Sequence, residues 1–241
     1  MENEKQHIGQ LFDRIAGTYD RLNHLLSLNI DKHWRRKGVK MLSNQLATQG
    51  AAMSCDRLLD VAIGTADLTL EILRQDCAYH VTGIDLSKKM MAIGEQKVAK
   101  AGYASRVKFD YGSAQDMPYG DGVYDAVTCA YGVRNFADMD AGLREMYRVL
   151  KPGGKVMILE FSYPTTPFIR WGYDLYFTHI LPGVGNLLSR DKGAYSYLNR
   201  SVKHFPYGEA FLEHMHAACF TDTRAISLTF GISTVYLGTK E

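Results

Sequence analysis

The segment Leu58 to Asp67, L-L-D-V-A-I-G-T-A-D, is the strongest constraint on what this chain can fold into. Arg57 to Ala62 is a short run rich in Leu and Val, the pattern of a parallel strand buried on both faces. Gly64 follows at once, where the backbone must turn sharply and approach a ligand without a Cβ in the way. Asp67 is then placed to cap the helix L-T-L-E-I-L, whose first amides otherwise lack partners. A second acid, Asp85, closes the next strand-like run, V-T-G-I-D. Ligands of open α/β sheets bind at the carboxyl ends of the strands, where both features fall. A pyrophosphate site would need G-x-G-x-x-G here, and only Gly64 is present, followed by Thr65 and Ala66. Singly, Gly64 reads as a turn and Asp85 as a cap for the helix near Ser87. Together, in strand–helix–strand–helix order, they read as a binding site.

The rest of the chain continues that alternation. Strand-like runs at 57–62, 79–85, 105–111, 123–130 and 154–161 are separated by helical stretches near 67–75, 87–101 and 138–150, the pattern of a parallel, doubly wound sheet. Pro152 and the glycines of K-P-G-G stop the helix before the fifth strand. Residues 219–239 read as two strands joined around Gly231, and residues 4–48 as helices. The predicted organisation is an α/β domain over 51–241 preceded by a helical cap over 1–50, in a chain long enough to bury a sizeable core.

Composition excludes several classes. A net charge of +2 gives no basic field for nucleic acid. No apolar stretch approaches the roughly 18 residues of a spanning helix, and the N-terminus M-E-N-E-K-Q is polar, so a cytoplasmic location is expected. Cys55, Cys77, Cys129 and Cys219 lie far apart, which suits reduced thiols in such a setting. His214 and His216 are two apart, a poor spacing for ligands on one helix face, and no metal is expected.

Residues 161–211 break the alternation and hold twelve of the 27 aromatic residues, roughly a twofold enrichment. The predicted helical insertion spans about 163–215. Within it Phe168, Trp171, Leu175 and His179 share a helical face. That face either packs on the sheet or covers an apolar pocket that rests on a membrane surface.

The Leu58–Asp67 loop with Asp85 resembles the cofactor site of S-adenosylmethionine (SAM)-dependent methyltransferases. SAM has no diphosphate; its sulfonium, amino group, carboxylate and ribose diol call for acids such as Asp60, Asp67 and Asp85. Longer segments resemble one family, the C-methyltransferases of menaquinone and ubiquinone biosynthesis. These are F-D-R-I-A-G-T-Y-D-R-L-N-H-L-L-S (Phe12 to Ser27), D-K-H-W-R-R (Asp31 to Arg36), Y-G-V-R-N-F (Tyr131 to Phe136), Y-R-V-L-K-P-G-G-K-V-M-I-L-E-F-S (Tyr147 to Ser162), H-I-L-P-G-V-G, and Y-S-Y-L-N-R-S-V-K-H-F-P (Tyr195 to Pro206). The resemblance covers nearly the whole chain. It departs from the family at Ala66, where Gly is common, at Ile63, at Ala130 and at Leu28-Asn29.

The resemblance implies a class I methyltransferase fold, Rossmann-like, with a seven-stranded, mostly parallel sheet and an antiparallel last strand. It implies cofactor contacts at Thr65, Asp85, Ser113 and Ala114, which join Asp60, Gly64 and Asp67 from the loop itself, with SAM leaving as S-adenosylhomocysteine. The implied reaction moves a methyl group to a ring carbon of a polyprenylated quinol, which needs no metal. That carbon becomes nucleophilic when its neighbouring hydroxyl loses a proton, so the site must accept a proton and stabilise an oxyanion. Arg134 and Asn135, with Tyr19 from the cap, are the candidate catalytic residues; Asn23, Tyr195 and Tyr197 are candidate acceptor contacts, with Arg200 a weaker one. A simpler reading leaves Arg134 and Asn135 as caps for the helix near Asp138. The compact length favours demethylmenaquinol as acceptor over the benzoquinol of the ubiquinone branch, and the signatures argue against O-methylation of a soluble phenol. The expected partners are the quinol and a peripheral membrane surface on the cytoplasmic side, with room for a homodimer and no nucleic acid.

Overall fold

The computed structural model describes residues 2–47, 55–164, 166–175, 201–202 and 204–241, with backbone alone for 2–7, 21–22 and 25–26. The elements are α1 (Glu2–Leu26), α2 (Ile30–Ala47), β1 (Cys55–Val61), α3 (Asp67–Arg74), β2 (Ala78–Asp85), α4 (Lys88–Lys100), β3 (Val107–Tyr111), β4 (Tyr124–Ala130), α5 (Met139–Val149), β5 (Leu150–Phe161), α6 (Pro167–Leu175), α7 (Glu209–Ala217), β6 (Thr221–Leu228) and β7 (Ser233–Thr239). The seven strands form one sheet in the order β3-β2-β1-β4-β5-β7-β6. β1 to β5 run parallel, and β7 lies antiparallel between β5 and β6. The predicted fold class and the predicted alternation are both present.

The central strands are rich in apolar residues because they feed a core on each face of the sheet. Along β1, Leu58 packs with α2 and α3 on one face while Leu59 and Val61 pack with α5 and α7 on the other. Val235 and Leu237 of β7 likewise face opposite to Tyr236. α2 contributes Trp34, Val39, Leu42 and Leu46 to the first of these cores. Gly38 brings α2 close to β5, since a Cβ there would lie 3.3 Å from the Met157 sulfur.

Two sequence expectations change in detail. β5 begins at Leu150, four residues earlier than expected: Leu150 pairs with Tyr124, a register shift follows, and pairing resumes at Lys155 with Ala126. The K-P-G-G segment is thus an irregularity inside the strand, with Gly153 in the left-handed region at φ 78° and its N–H donating to the Lys240 carbonyl. Asp67 does not cap α3. The N-cap is Ala66, at φ 62° and without a side-chain hydrogen bond, while Asp67 sits inside the first turn and is taken by cations from elsewhere. α4 is capped by Ser87, and not Asp85, accepting from the Met90 amide, and α5 by Asp138 accepting from the Ala141 amide.

Of the predicted insertion, α6, residues 201–202 and the start of α7 are described; His179, Tyr195, Tyr197 and Arg200 lie outside the described residues. Phe168, Trp171 and Leu175 of α6 are 78%, 65% and 45% exposed, so this face does not pack on the sheet. Tyr173, on the other side of α6, is buried instead and meets Tyr163 edge to face at 5.4 Å.

Leu42 is fully buried between α2 and the sheet. Leu42→Ala should cost about 2–5 kcal/mol, read as a lower Tm in thermal unfolding, without loss of the helical signal at low temperature.

Candidate active site

The sheet changes direction between β1 and β4: β2 and β3 extend from one side of β1, β4 and β5 from the other. A crevice opens at such a switch point because the connections leave in opposite directions. The loops after β1, β2, β3 and β4 all reach it. They supply Ala62 and Gly64, Asp85 and Leu86, Gly112 to Gln115, and Ala130 to Gly132 to the walls of a cavity of about 710 Å³ that is open to solvent on one side. α1 forms a further wall with Ile8, Gly9, Phe12 and Tyr19.

Asp85 organises the floor. Its Oδ2 accepts from the Gly64 amide at 2.8 Å and its Oδ1 from the Ser87 amide at 2.7 Å, tying the β1 loop to the start of α4. Burial nonetheless pushes its carboxyl up to about 6, against those amide bonds. The β1 loop alternates into the left-handed region at Ala62, Gly64 and Ala66, with φ of 56°, 53° and 62°. Two alanines there cost about 1–2 kcal/mol each relative to glycine, strain of the kind that binding loops retain. The departure noted at Ala66 thus falls where glycine would be easier.

Asp60 lies beneath this loop, 1% exposed, accepting from the Thr69 and Thr128 hydroxyls at 2.6 and 2.9 Å. Burial pushes it up to about 6 as well. Thr65 donates from its hydroxyl to Asp20 of α1 at 2.6 Å. Lys97 of α4 donates to the same Asp20 at 2.7 Å and also to Asp67. Arg35 of α2 bridges Asp31 and Asp67 at 2.5 and 2.8 Å. Burial acts to raise the Asp67 carboxyl, but Arg35 and Lys97 hold it below the ordinary range. His24, Asp31 and Asp67 bring their ligand atoms within 4.8 Å of one another, but Arg35 already lies between the two carboxylates and competes with any cation.

A second compartment joins the first through Tyr19, Ala62, Gly64, Ala130 and Tyr131, and is lined further by Asn23, Arg35, Asp60 and Thr65. Tyr19 and Asn23 both line this compartment. Asn135 lines the first cavity, its amide donating to the Tyr131 carbonyl at 3.1 Å. Arg134 stands behind it. Its Nη1 donates to the Glu160 carboxylate and the Tyr131 carbonyl, both at 2.6 Å, and its guanidinium lies over the Phe161 ring at 5.1 Å. Neither Arg134 nor Asn135 caps α5, which Asp138 caps alone among the described residues. Burial pushes the Tyr19 phenol up, and the nearby Arg134 charge is the largest opposing influence.

Sequence reasoning missed Glu160, Arg35, Lys97 and Asp20. Glu160 carried a signal: it is the one acid in the apolar run V-M-I-L-E-F, and such an acid needs a partner. Arg35 and Asp20 stand inside the quoted family-like segments, but, as with Lys97, nothing in their spacing set them apart from exposed charges on a helix.

The cavity suits a ligand with a flat apolar body, a diol and positive charge. Phe12, Ile84, Leu86, Met90 and Phe136 supply apolar walls, and Asp85 supplies the acceptor. No Lys, Arg or His lines it among the described residues, which disfavours a diphosphate. These are the requirements of SAM. A SAM-dependent methyltransferase from Thermotoga maritima superposes on the chain with a TM-score of 0.67 at 17% identity, covering 98% of this chain and 100% of its own. The fold is that of the class I SAM-dependent methyltransferases.

The ubiE/COQ5 methyltransferase family matches residues 1–240, and the chain belongs to that family. It is 44% identical to a ubiquinone/menaquinone biosynthesis C-methyltransferase UbiE of Geotalea daltonii, over 98% of this chain and 97% of that protein. It is 41% identical to a demethylmenaquinone methyltransferase of Porphyromonas gingivalis, over 98% and 94%.

Asp85 lines the cavity with a carboxylate whose ionised form a hydrogen-bond-donating ligand would favour. Because the free carboxyl titrates near 6, SAM affinity should hold at neutral pH and fall as pH drops through about 6. Asp85→Asn should weaken SAM binding about 10–100-fold at pH 7 and flatten that acid limb, measured by calorimetry across pH.

Proposed function

We propose that the protein methylates a ring carbon of a polyprenylated quinol, with demethylmenaquinol as the acceptor and menaquinol as the product. The family and the names of its full-length relatives support quinone C-methylation. The observation that carries the reading is the convergence of Tyr19, Asn23 and Asn135 on two joined compartments, with the Arg134–Glu160 pair directly behind.

In this reading Asp85 takes the ribose hydroxyls, and Ser113 and Ala114 sit against the adenine, with residues 1–50 acting as a cap. Asp60, Thr65 and Asp67 bound the amino-acid end. SAM supplies the methyl group on a sulfonium, so no external electrophile has to be generated. The chain's own task is to hold the quinol carbon in line and manage one proton. Orientation of this kind can contribute roughly 7–11 kcal/mol. Arg134 cannot accept a proton, because a guanidinium remains charged at any physiological pH. It stabilises the oxyanion directly, or orients with Asn135 a water that takes the hydroxyl proton. Glu160, fully buried and bonded to both Arg134 and the Phe161 amide, holds the guanidinium in place. Tyr19 and Asn23 position the quinol oxygen from the α1 side. Tyr195 and Tyr197 are proposed for the pocket wall. The quinol's isoprenoid tail calls for a peripheral membrane location on the cytoplasmic side.

Arg134→Ala should reduce turnover to background while leaving SAM affinity within about twofold; full activity would overturn the assignment. The acceptor is tested with labelled SAM and reduced demethylmenaquinone in detergent, followed by mass analysis of the lipid. Label on the naphthoquinol ring is the expected result. No transfer to the naphthoquinol ring would move the reading to the ubiquinone branch or to a soluble phenol.

A further inference from the structure

Seven large apolar side chains are exposed among the described residues, and five belong to three segments at one end of the molecule. These are Leu28 in the α1–α2 turn, Phe230 in the β6–β7 turn, and Phe168, Trp171 and Leu175 on one face of α6. Hydrogen bonds bring the segments together at the carboxyl end of β5. Ser162, which leaves β5 towards α6, donates from its amide to the Ile232 carbonyl and from its hydroxyl to the Gly231 carbonyl, at 3.0 and 2.8 Å. Trp34 of α2 donates to the Thr229 hydroxyl at 2.7 Å and packs edge-on against Phe161 at the end of β5.

Two of these side chains are held out at a cost. Leu28 and Phe230 occupy the left-handed region, at φ 51° and 58°, and are 74% and 75% exposed. Glycine would relieve the backbone at either position, and neither side chain is buried enough to repay the fold. On α6 the Phe168 and Trp171 rings stack outward at 6.5 Å, while Tyr173 anchors the opposite side. Beside this rim, the exposed residues of α2 nearest its start are Lys32, His33, Arg36 and Lys37, followed by Lys40; its acid, Asp31, is buried.

We propose that this rim is a docking surface for an anionic lipid bilayer, with Phe230, Leu28 and the α6 face entering the interface and the basic face of α2 lying on the headgroups. Separate apolar wedges on turns and a short helix, flanked by cations, match the two components of interfacial binding, apolar burial and headgroup attraction. A protein partner would instead favour a continuous, shape-matched patch. The inference extends the quinol reading, because Phe161 links the rim to the active site: its ring lies 4.5 Å from Tyr131 and under the Arg134 guanidinium. Membrane partition itself is measured without any quinol, and quinol turnover enters only as a control on the variant.

The full chain is incubated with phosphatidylcholine vesicles, with and without phosphatidylglycerol, and partition is read by flotation. Binding should require the anionic lipid and weaken with salt, and tryptophan emission should shift to the blue. Trp171 reports that shift, since Trp34 is 3% exposed and the chain holds two tryptophans. Phe168→Ser with Trp171→Ser should lower partition about tenfold or more, and Lys32→Gln with Lys37→Gln and Lys40→Gln should abolish its dependence on anionic lipid. Phe230→Gly is the decisive variant: partition should fall severalfold while Tm holds or rises and turnover of a detergent-dispersed short-tail quinol is unchanged. Wild-type protein that fails to float, or Phe230→Gly that floats like wild type, overturns the proposal. Emission already blue without vesicles, or self-association lost in Phe168→Ser with Trp171→Ser, also overturns it, the latter by naming a second copy as the occupant. Methyl transfer to the quinol is measured separately, so failure of either reading leaves the other standing.

Discussion

One carboxylate, that of Asp85, joins the parts on which the site depends. By accepting from the Gly64 and Ser87 amides it fixes the β1 loop against the start of α4 and sets the depth of the crevice between them. Because those bonds are to backbone, the arrangement needs a chain that can turn at Gly64, not a particular side chain there. The strain at Ala62 and Ala66 is tolerated for the same reason: the loop is held at both ends by the sheet and by this carboxylate. Burial raises the Asp85 carboxyl, so the free site is poised to gain from a ligand that favours the ionised form.

A second set of charges closes the other side. Asp13 accepts from the Ser87 hydroxyl and the Lys89 amide at 2.6 and 3.1 Å, and Asp20 accepts from Thr65 and Lys97. The two aspartates lie two turns apart on α1 and so face the same way. One turn before Asp13, Gly9 lets α1 approach closely, since a Cβ there would lie 2.8 Å from the Leu86 carbonyl oxygen. The partly exposed members of this network each contribute little, but together they set the register of α1 on α4.

Much of the architecture was legible because short apolar-rich stretches alternate with helical ones along the chain, as at β1, β2 and β4. The cofactor end was legible for a related reason: Gly64 and Asp85 stand at strand ends, where the topology leaves few roles open. Asp67 was misread as a cap because its competitors, Arg35 and Lys97, lie far away in sequence and win by proximity in the fold. The partnership of Arg134 was hidden in the same way. Its residue type suggested a group facing substrate, while Glu160, 26 positions on, claims part of the guanidinium. α6 shows the opposite failure, since helical spacing marks an apolar face but does not say whether protein covers it.

α1 has a mechanical consequence. At about 1.5 Å per residue its 25 residues form a rod roughly 37 Å long, touching the nucleoside cavity through Ile8, Gly9 and Phe12 and both compartments through Tyr19. A rod transmits displacement along its length. Any tilt that widens the cavity at Phe12 therefore carries Tyr19 with it, and the clearance for one ligand and the alignment of the other become a single degree of freedom.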